Sequence, residues 1–276
     1  MVCSSPHSGR FYPRAFKRMS RLDEHSLRRS EDSHVDALFA AAPEVGASLL
    51  AARYPRAYVD LNRAANELDP LLFEDPLPVD AHADSDRVAA GLGVIARVVA
   101  SGMPIYAGRL PLEEADRRIA AIYRPYHAAL AELLRTARRR WGWSLLLDCH
   151  SMPSGTGGAS RTTADGLAGG VDIVLGDCHG ASCAPGLVAT AESALREMGY
   201  RVRRNRPYAG GYCTQHYGRP ETGAHALQIE INRALYMDET TLRRRPDFSR
   251  TAADMTRLLA ALMRHDFNSE QTVAAE

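Results

Sequence analysis

The sequence predicts an α/β fold, a sheet with helices on both faces. Two observations predict it. Short apolar runs of strand length alternate with amphipathic stretches of helical period along the whole chain. Several of those runs then turn into polar residues that a core does not need, as strands do when their ends carry a site. The size agrees. The 276 residues, 45% hydrophobic and 24% charged, suit one generous domain or two small ones, and we read 1–276 as a single domain.

Each element has its own signal. Met1–Ser5 is a short strand broken by Pro6-His7-Ser8-Gly9. Arg14–Met19 has the look of a helical turn. A stronger helix is expected from Ser30 or Glu31 to Ala42, with Val35, Leu38 and Phe39 on one face and Asp32 in its first turn. Ala57–Leu61 is strand-like and ends in Asn62-Arg63. Residues 66–86 hold Pro70, Pro76, Pro78 and several acids, and are expected to be a loop long enough to cover a site. Gly93–Ala100 is strand-like again. Leu112–Arg140 has helical period, with a break or kink expected at Pro125.

The second half repeats the pattern. Trp143–Leu147 leads into Asp148-Cys149-His150, a buried strand ended by Ser151, Pro153 and Gly155. Val171–Gly176 is a further strand, ending in Asp177-Cys178-His179. Ala184–Met198 is an amphipathic helix, Arg201–Asn205 alternates weakly, and Asn205–Gly223 has loop composition. Ala224–Asn232 alternates cleanly, with Leu227, Ile229 and Ile231 on one face and Gln228, Glu230 and Asn232 on the other. Phe248–His265 closes the chain as a helix.

Composition excludes several classes. The net charge of +1 favours no polyanion. Arginine is abundant, with Lys17 the only lysine, but RLDEHSLRR and RTARRRWG interleave acids or apolar residues and are solvated helix faces rather than nucleic-acid contacts. Five cysteines without a C-x-x-C pair fit free thiols in a reducing compartment, so a cytoplasmic location is expected. No apolar run approaches a membrane span, and MVCSSPHSG does not have the layout of a signal peptide.

The functional signal is recurrence. His7, Asp60-Asn62-Arg63, Asp148-His150, Asp177-His179 and Gln228-Glu230-Asn232 all sit where a strand ends or turns. Asp148 and His150 are two apart, so they share a face. Two histidines and a carboxylate are enough for an open zinc site with water in the fourth position. A further carboxylate could serve as general base, and an arginine could clamp an anionic substrate. Each residue also has a structural explanation. His7 could bond backbone, Asp32 could be a helix-start acid, Arg63 could pair with Asp60, and Arg233 could neutralise Glu230. Nucleophilic readings fail on geometry, because Ser151 and Cys149 point away from His150 on a strand and Cys178 points away from His179.

The motifs PHSG (6–9), DLNR (60–63), LDCHSMP (147–153), GDCHG (176–180), PYAGGY (207–212), HYGRP (216–220) and QIEINRALYMDE (228–239) together resemble the N-formylglutamate amidohydrolase family. The likeness runs from about Ser4 to His265. It implies the fold of the zinc carboxypeptidases and aspartoacylase, a single α/β domain with a mixed, mostly parallel sheet. It also implies zinc held by His7, a carboxylate and His150. The usual H-x-x-E is broken by Arg10. Asp32 is the first choice for the carboxylate because it sits at the start of the next expected helix, and Asp36 is the second. By the same resemblance Glu230 is the proton shuttle, Asn62 and Arg63 bind substrate with Arg219 in reserve, and Asp177 and His179 either support the metal or cap.

The implied reaction is zinc-dependent hydrolysis of N-formyl-L-glutamate to formate and L-glutamate, a step in histidine degradation. Two alternatives are open. One is an amidohydrolase for another N-acyl amino acid, with room for a larger acyl group near Tyr208–Tyr212. The other is a non-catalytic binding protein that keeps the pocket without the metal. The expected partner in every case is a small molecule, with no membrane or nucleic acid.

Overall fold

A computed structural model describes residues 1–99, 102–156 and 170–265. The strands are β1 (Val2–Ser5), β2 (Ser48–Ala51), β3 (Ser144–Met152), β4 (Ile173–Gly176), β5 (Val202–Arg204) and β6 (Ala224–Asn232). The helices are α1 (Arg14–Met19), α2 (Glu24–Arg28), α3 (Val35–Leu38), α4 (Asp86–Ala89), α5 (Leu112–Arg118), α6 (Arg124–Trp141), α7 (Pro185–Glu197), α8 (Tyr212–Tyr217) and α9 (Phe248–Met263). Among the described residues the strands form one sheet in the order β2-β1-β3-β6-β4-β5. β1, β3 and β6 are parallel neighbours, β4 runs antiparallel to β6, and β5 is parallel to β4. The fold is therefore α/β with a mixed, mostly parallel sheet.

The chain divides into two compact units. One comprises Met1–Ser4, His34–Leu49 and Leu133–Glu276. Its core forms on one face of the sheet, where Cys3, Leu145, Leu147, Cys149, Ile173, Leu175, Leu227, Ile229 and Ile231 meet apolar residues of α3, α7 and α9. Alternation places Asp148, His150, Gln228, Glu230 and Asn232 on the opposite face. There α8 packs on β3 and β6. Every residue of β3 is buried, so this second face is polar yet dry.

The other unit comprises Ser5–Ser33 and Leu50–Glu132. Its organising group is the Arg118 guanidinium, fully buried and 4.1 Å above the Tyr58 ring. Arg118 donates to Glu114 Oε1, the Tyr58 carbonyl and the Tyr106 hydroxyl. A buried charge persists only when it is paired and hydrogen-bonded, and these bonds supply that pairing. Between α5 and α6 the helix passes through a π-helical turn at Ile119–Tyr123, just before Pro125. The helix does not break at Pro125 but carries this irregular turn before it. The proline lacks an N–H, and a wider turn tolerates its ring without ending the helix.

Several local expectations need correction. Ala57–Leu61 is not a strand. Tyr58 and Val59 donate their N–H groups back to the Pro55 carbonyl, so the apolar run is a buried turn. Residues 93–99 are likewise irregular, with an isolated bridge from Val98 to Pro104, and Ala100 lies outside the described residues. The helix expected from Ser30 or Glu31 to Ala42 is replaced by a turn and the one-turn α3. His34, at φ 68°, caps α3 from the left-handed region and prevents a continuous helix. The stretch 205–223, expected to be loop, contains α8 and a 3-10 turn at Pro220–Thr222. No helix among the described residues is long and apolar enough to cross a membrane.

Candidate active site

β1 ends because Ser8 Oγ donates to the Ser5 carbonyl, and Ser5 Oγ donates to Ser8 Oγ in turn. This turn projects His7. Gly9 follows because a Cβ there would lie 2.1 Å from the Tyr54 carbonyl oxygen. The His7 ring is almost wholly buried and uses both nitrogens. Nε2 is 2.7 Å from Asp60 Oδ1, and Nδ1 is 3.4 Å from Asp32 Oδ2. An ionised carboxylate only accepts, so the close contact with Asp60 places a proton on Nε2. That is how a metal-binding imidazole is oriented by a carboxylate behind it.

Asp60 is the centre of this half. Its Oδ1 also accepts from the Asn62 N–H, and its Oδ2 from Arg56. Burial pushes its carboxyl upward, but Arg56, His7 and Arg63 together outweigh that and hold it well below the usual carboxylate range. Asp32 is placed by backbone rather than by a helix, in a correction to the expected helix start. Its N–H donates to the His7 carbonyl at 3.0 Å. Beside it, the Glu31 carboxylate accepts from Tyr12, Arg28 and Ser33, which fixes the turn that carries Asp32.

Arg63 is buried, with Nε on the Leu92 carbonyl and Nη1 on the Asn62 carbonyl. Its Nη2 is 3.9 Å from Asp60 Oδ2. Burial lowers its pKa to about 10, partly opposed by Asp60, so it stays charged near neutral pH. Arg63 thus serves the turn and presents one edge of its guanidinium.

On β3, His150 Nε2 lies 3.1 Å from Asp148 Oδ1. The neighbour of His150 in register on β6 is Glu230, and that of Asp148 is Gln228. Parallel neighbours in register stand about 4.8 Å apart on the same face, so Glu230 lies beside His150. Thr214 of α8 lies within bonding distance of both Asp148 Oδ2 and Gln228 Oε1. Gln228 Nε2 donates to Glu230 Oε1 at 2.9 Å. At the end of these strands Arg233 Nε donates to Ser151 Oγ.

Two further candidates are placed away from this group. Arg219 is exposed and caps the end of α8, donating to the Gln215 and Gly218 carbonyls. β4 runs antiparallel to β6, so Asp177 and His179 leave the sheet in the direction opposite to His150. They form a turn held by Asn205, whose side chain bonds to Asp177 and to both backbone N–H groups.

His7 and Asp32 are both buried, with His7 Nδ1 3.4 Å from Asp32 Oδ2, and His150 is buried on β3. Asp36 is only partly buried, in the first turn of α3. Two imidazoles and one carboxylate are a donor set that could hold a metal ion. The sequence pointed to each of the three. It did not point to Asp60 as the partner of His7, because 53 residues separate them and no spacing rule links them. Nor did it single out Thr214 or Glu31, although DLNR held Asp60 in plain view.

The comparisons agree with this geometry. Residues 1–237 match the family model described as N-formylglutamate amidohydrolase. An N-formylglutamate deformylase of Pseudomonas aeruginosa is 34% identical over 87% of this chain and 82% of its own length. The crystal structure of an N-formylglutamate amidohydrolase from Ralstonia eutropha JMP134 is similar with a TM-score of 0.83 and 42% identity, covering 94% of this chain and 91% of that one. A protein of Agrobacterium tumefaciens, 18% identical over 95% of this chain and 89% of its own, shares the fold with a TM-score of 0.61. The chain belongs to the N-formylglutamate amidohydrolase family.

Proposed function

We propose that this protein hydrolyses the amide of N-formyl-L-glutamate, releasing formate and L-glutamate, with a zinc ion held by His7, Asp32 and His150. The observation that carries the reading is the buried His7–Asp32 pair, with His150 buried on β3, in a member of this family. A bound zinc ion would lower the pKa of its water towards ~7 and polarise the formyl oxygen. The rest of the work belongs to the chain. Asp60 and Asp148 orient the two imidazoles from behind. Glu230, beside His150, takes the proton of the attacking water and returns it to the amine nitrogen as the C–N bond breaks. Arg63, with Asn62, binds a substrate carboxylate through its remaining donors.

The test is metal analysis of the purified protein joined to formate release from a panel of N-formyl amino acids. About one zinc per chain, and turnover that prefers the dicarboxylate, is the expected result. Release of a different acyl group would replace the substrate. Metal-free protein with full activity would remove the mechanism.

A further inference from the structure

We infer that Gln228 is a positioning residue that sets the carboxylate of Glu230 and ties it to the loop 207–211. The inference rests on Glu230 being the proton acceptor. Gln228 lies in the middle of β6, buried, on the same face as Glu230. Its amide cannot flip. The Gly211 N–H, at 2.6 Å, can only donate, so the atom facing it must be the carbonyl oxygen. The NH₂ end is thereby directed at Glu230 Oε1, at 2.9 Å. One side chain thus holds a loop with its oxygen and a carboxylate with its nitrogen.

The loop itself leaves little slack. The Cys178 N–H donates to the Ala209 carbonyl at 2.7 Å. Gly176, the neighbour of Gln228 in register on β4, sits so close beneath the loop that a Cβ would be 2.7 Å from the Ala209 carbonyl carbon. Thr214 lies within bonding distance of the same Gln228 oxygen and of Asp148, which stands behind His150. Buried polar networks with every member bonded hold one geometry. Here the network runs from the loop through Gln228 to one carboxylate oxygen.

A double-mutant cycle tests this, because a residue that acts through Glu230 loses its effect once Glu230 cannot take a proton. The substitutions are Gln228→Met, Glu230→Gln and both together. The readouts are kcat and KM for formate release from N-formyl-L-glutamate, and bound zinc. We expect Gln228→Met to lower kcat roughly 10- to 100-fold, the scale of a misplaced reacting group, with KM and zinc nearly unchanged. In the Glu230→Gln background the same change should lower kcat less than about 2-fold. Gln228→Glu keeps an acceptor for Gly211 and guards against a merely unfolded protein. It should fold and still fail to restore kcat. Equal losses in both backgrounds, or full rescue by Gln228→Glu, would overturn the inference and leave Gln228 as a loop anchor. A Glu230→Gln enzyme at wild-type rate would instead overturn the base assignment.

Discussion

His7 uses its two ring nitrogens differently, and its behaviour depends on the residue behind it. Asp60 accepts a hydrogen bond from Nε2 at 2.7 Å, while Nδ1 faces Asp32 at 3.4 Å. Asp60→Asn keeps the shape but can turn its NH₂ to the ring and stabilise the wrong tautomer. Zinc affinity should fall about 10- to 100-fold, the usual loss for a partner behind a metal ligand, and a competitive zinc titration would measure it. Wild-type affinity would mean that Asp60 serves Arg56 and the turn alone. The same carboxyl predicts a pH effect. It is held below its unfolded value of about 3.9. The stability it contributes is therefore present above that value and lost as pH falls through its lower folded one. The wild type should lose more stability than Asp60→Asn as pH drops below about 4, as urea titrations at each pH would register. Arg63→Ala should raise KM for the dicarboxylate substrate by an amount near ~2–5 kcal/mol, the loss for a buried charged contact, at unchanged zinc content. Its bonds to the Leu92 and Asn62 carbonyls predict a lower melting temperature as well. An unchanged KM with a lowered melting temperature would make Arg63 purely structural, and Arg233, which reaches Ser151 at the end of the same strands as His150, the next candidate.

At the scale of elements, the carboxylate ligand separates two ways of placing a side chain. Asp32 is fixed by its own N–H on the His7 carbonyl and by the Glu31 hub next door. Asp36 lies in the first turn of α3 and is only partly buried. Asp32→Ala should lose zinc, and Asp36→Ala should retain it, in the same calorimetric titration. The reverse outcome would move the ligand by one turn. The residue was legible in the sequence, but the element carrying it was not. Periodicity suggested one helix over 30–42, and His34 in the left-handed region breaks it. The long strands were legible because their signals are local. In β6 the alternation of Gln228, Glu230 and Asn232 with isoleucines survives in the fold residue for residue. At 57–61 and 93–99 the apolar residues are buried without pairing in the sheet. Composition registers burial, not the partner that buries it. The antiparallel course of β4 was also hidden. A strand sounds the same in either direction, so Asp177 and His179 read as candidates until the register sent them the other way.

For the molecule as a whole, the three proposed ligands sit at positions 7, 32 and 150, far apart along the chain. An unfolded chain would have to close two long loops to present them together, which is entropically unfavourable. A metal bound through them therefore binds the folded state and stabilises it by mass action. At free zinc about 100 times its dissociation constant the gain is about 2.7 kcal/mol. For a chain of this size that corresponds to a melting-temperature rise of roughly 5–10 °C, at about 2–4 °C per kcal/mol. Stripping the protein with a chelator should lower the melting temperature by that amount, and added zinc should restore it. His150→Ala removes one ligand, so its melting temperature should respond to neither treatment. Glu230→Gln should melt with the full zinc response while its rate of formate release falls by roughly 10²–10⁴, the scale of a lost general base. The two mutants thus separate holding the metal from moving the proton. A chelator-insensitive wild type that still releases formate would sink the zinc reading. A His150→Ala protein with an intact zinc response would show that the metal is held elsewhere.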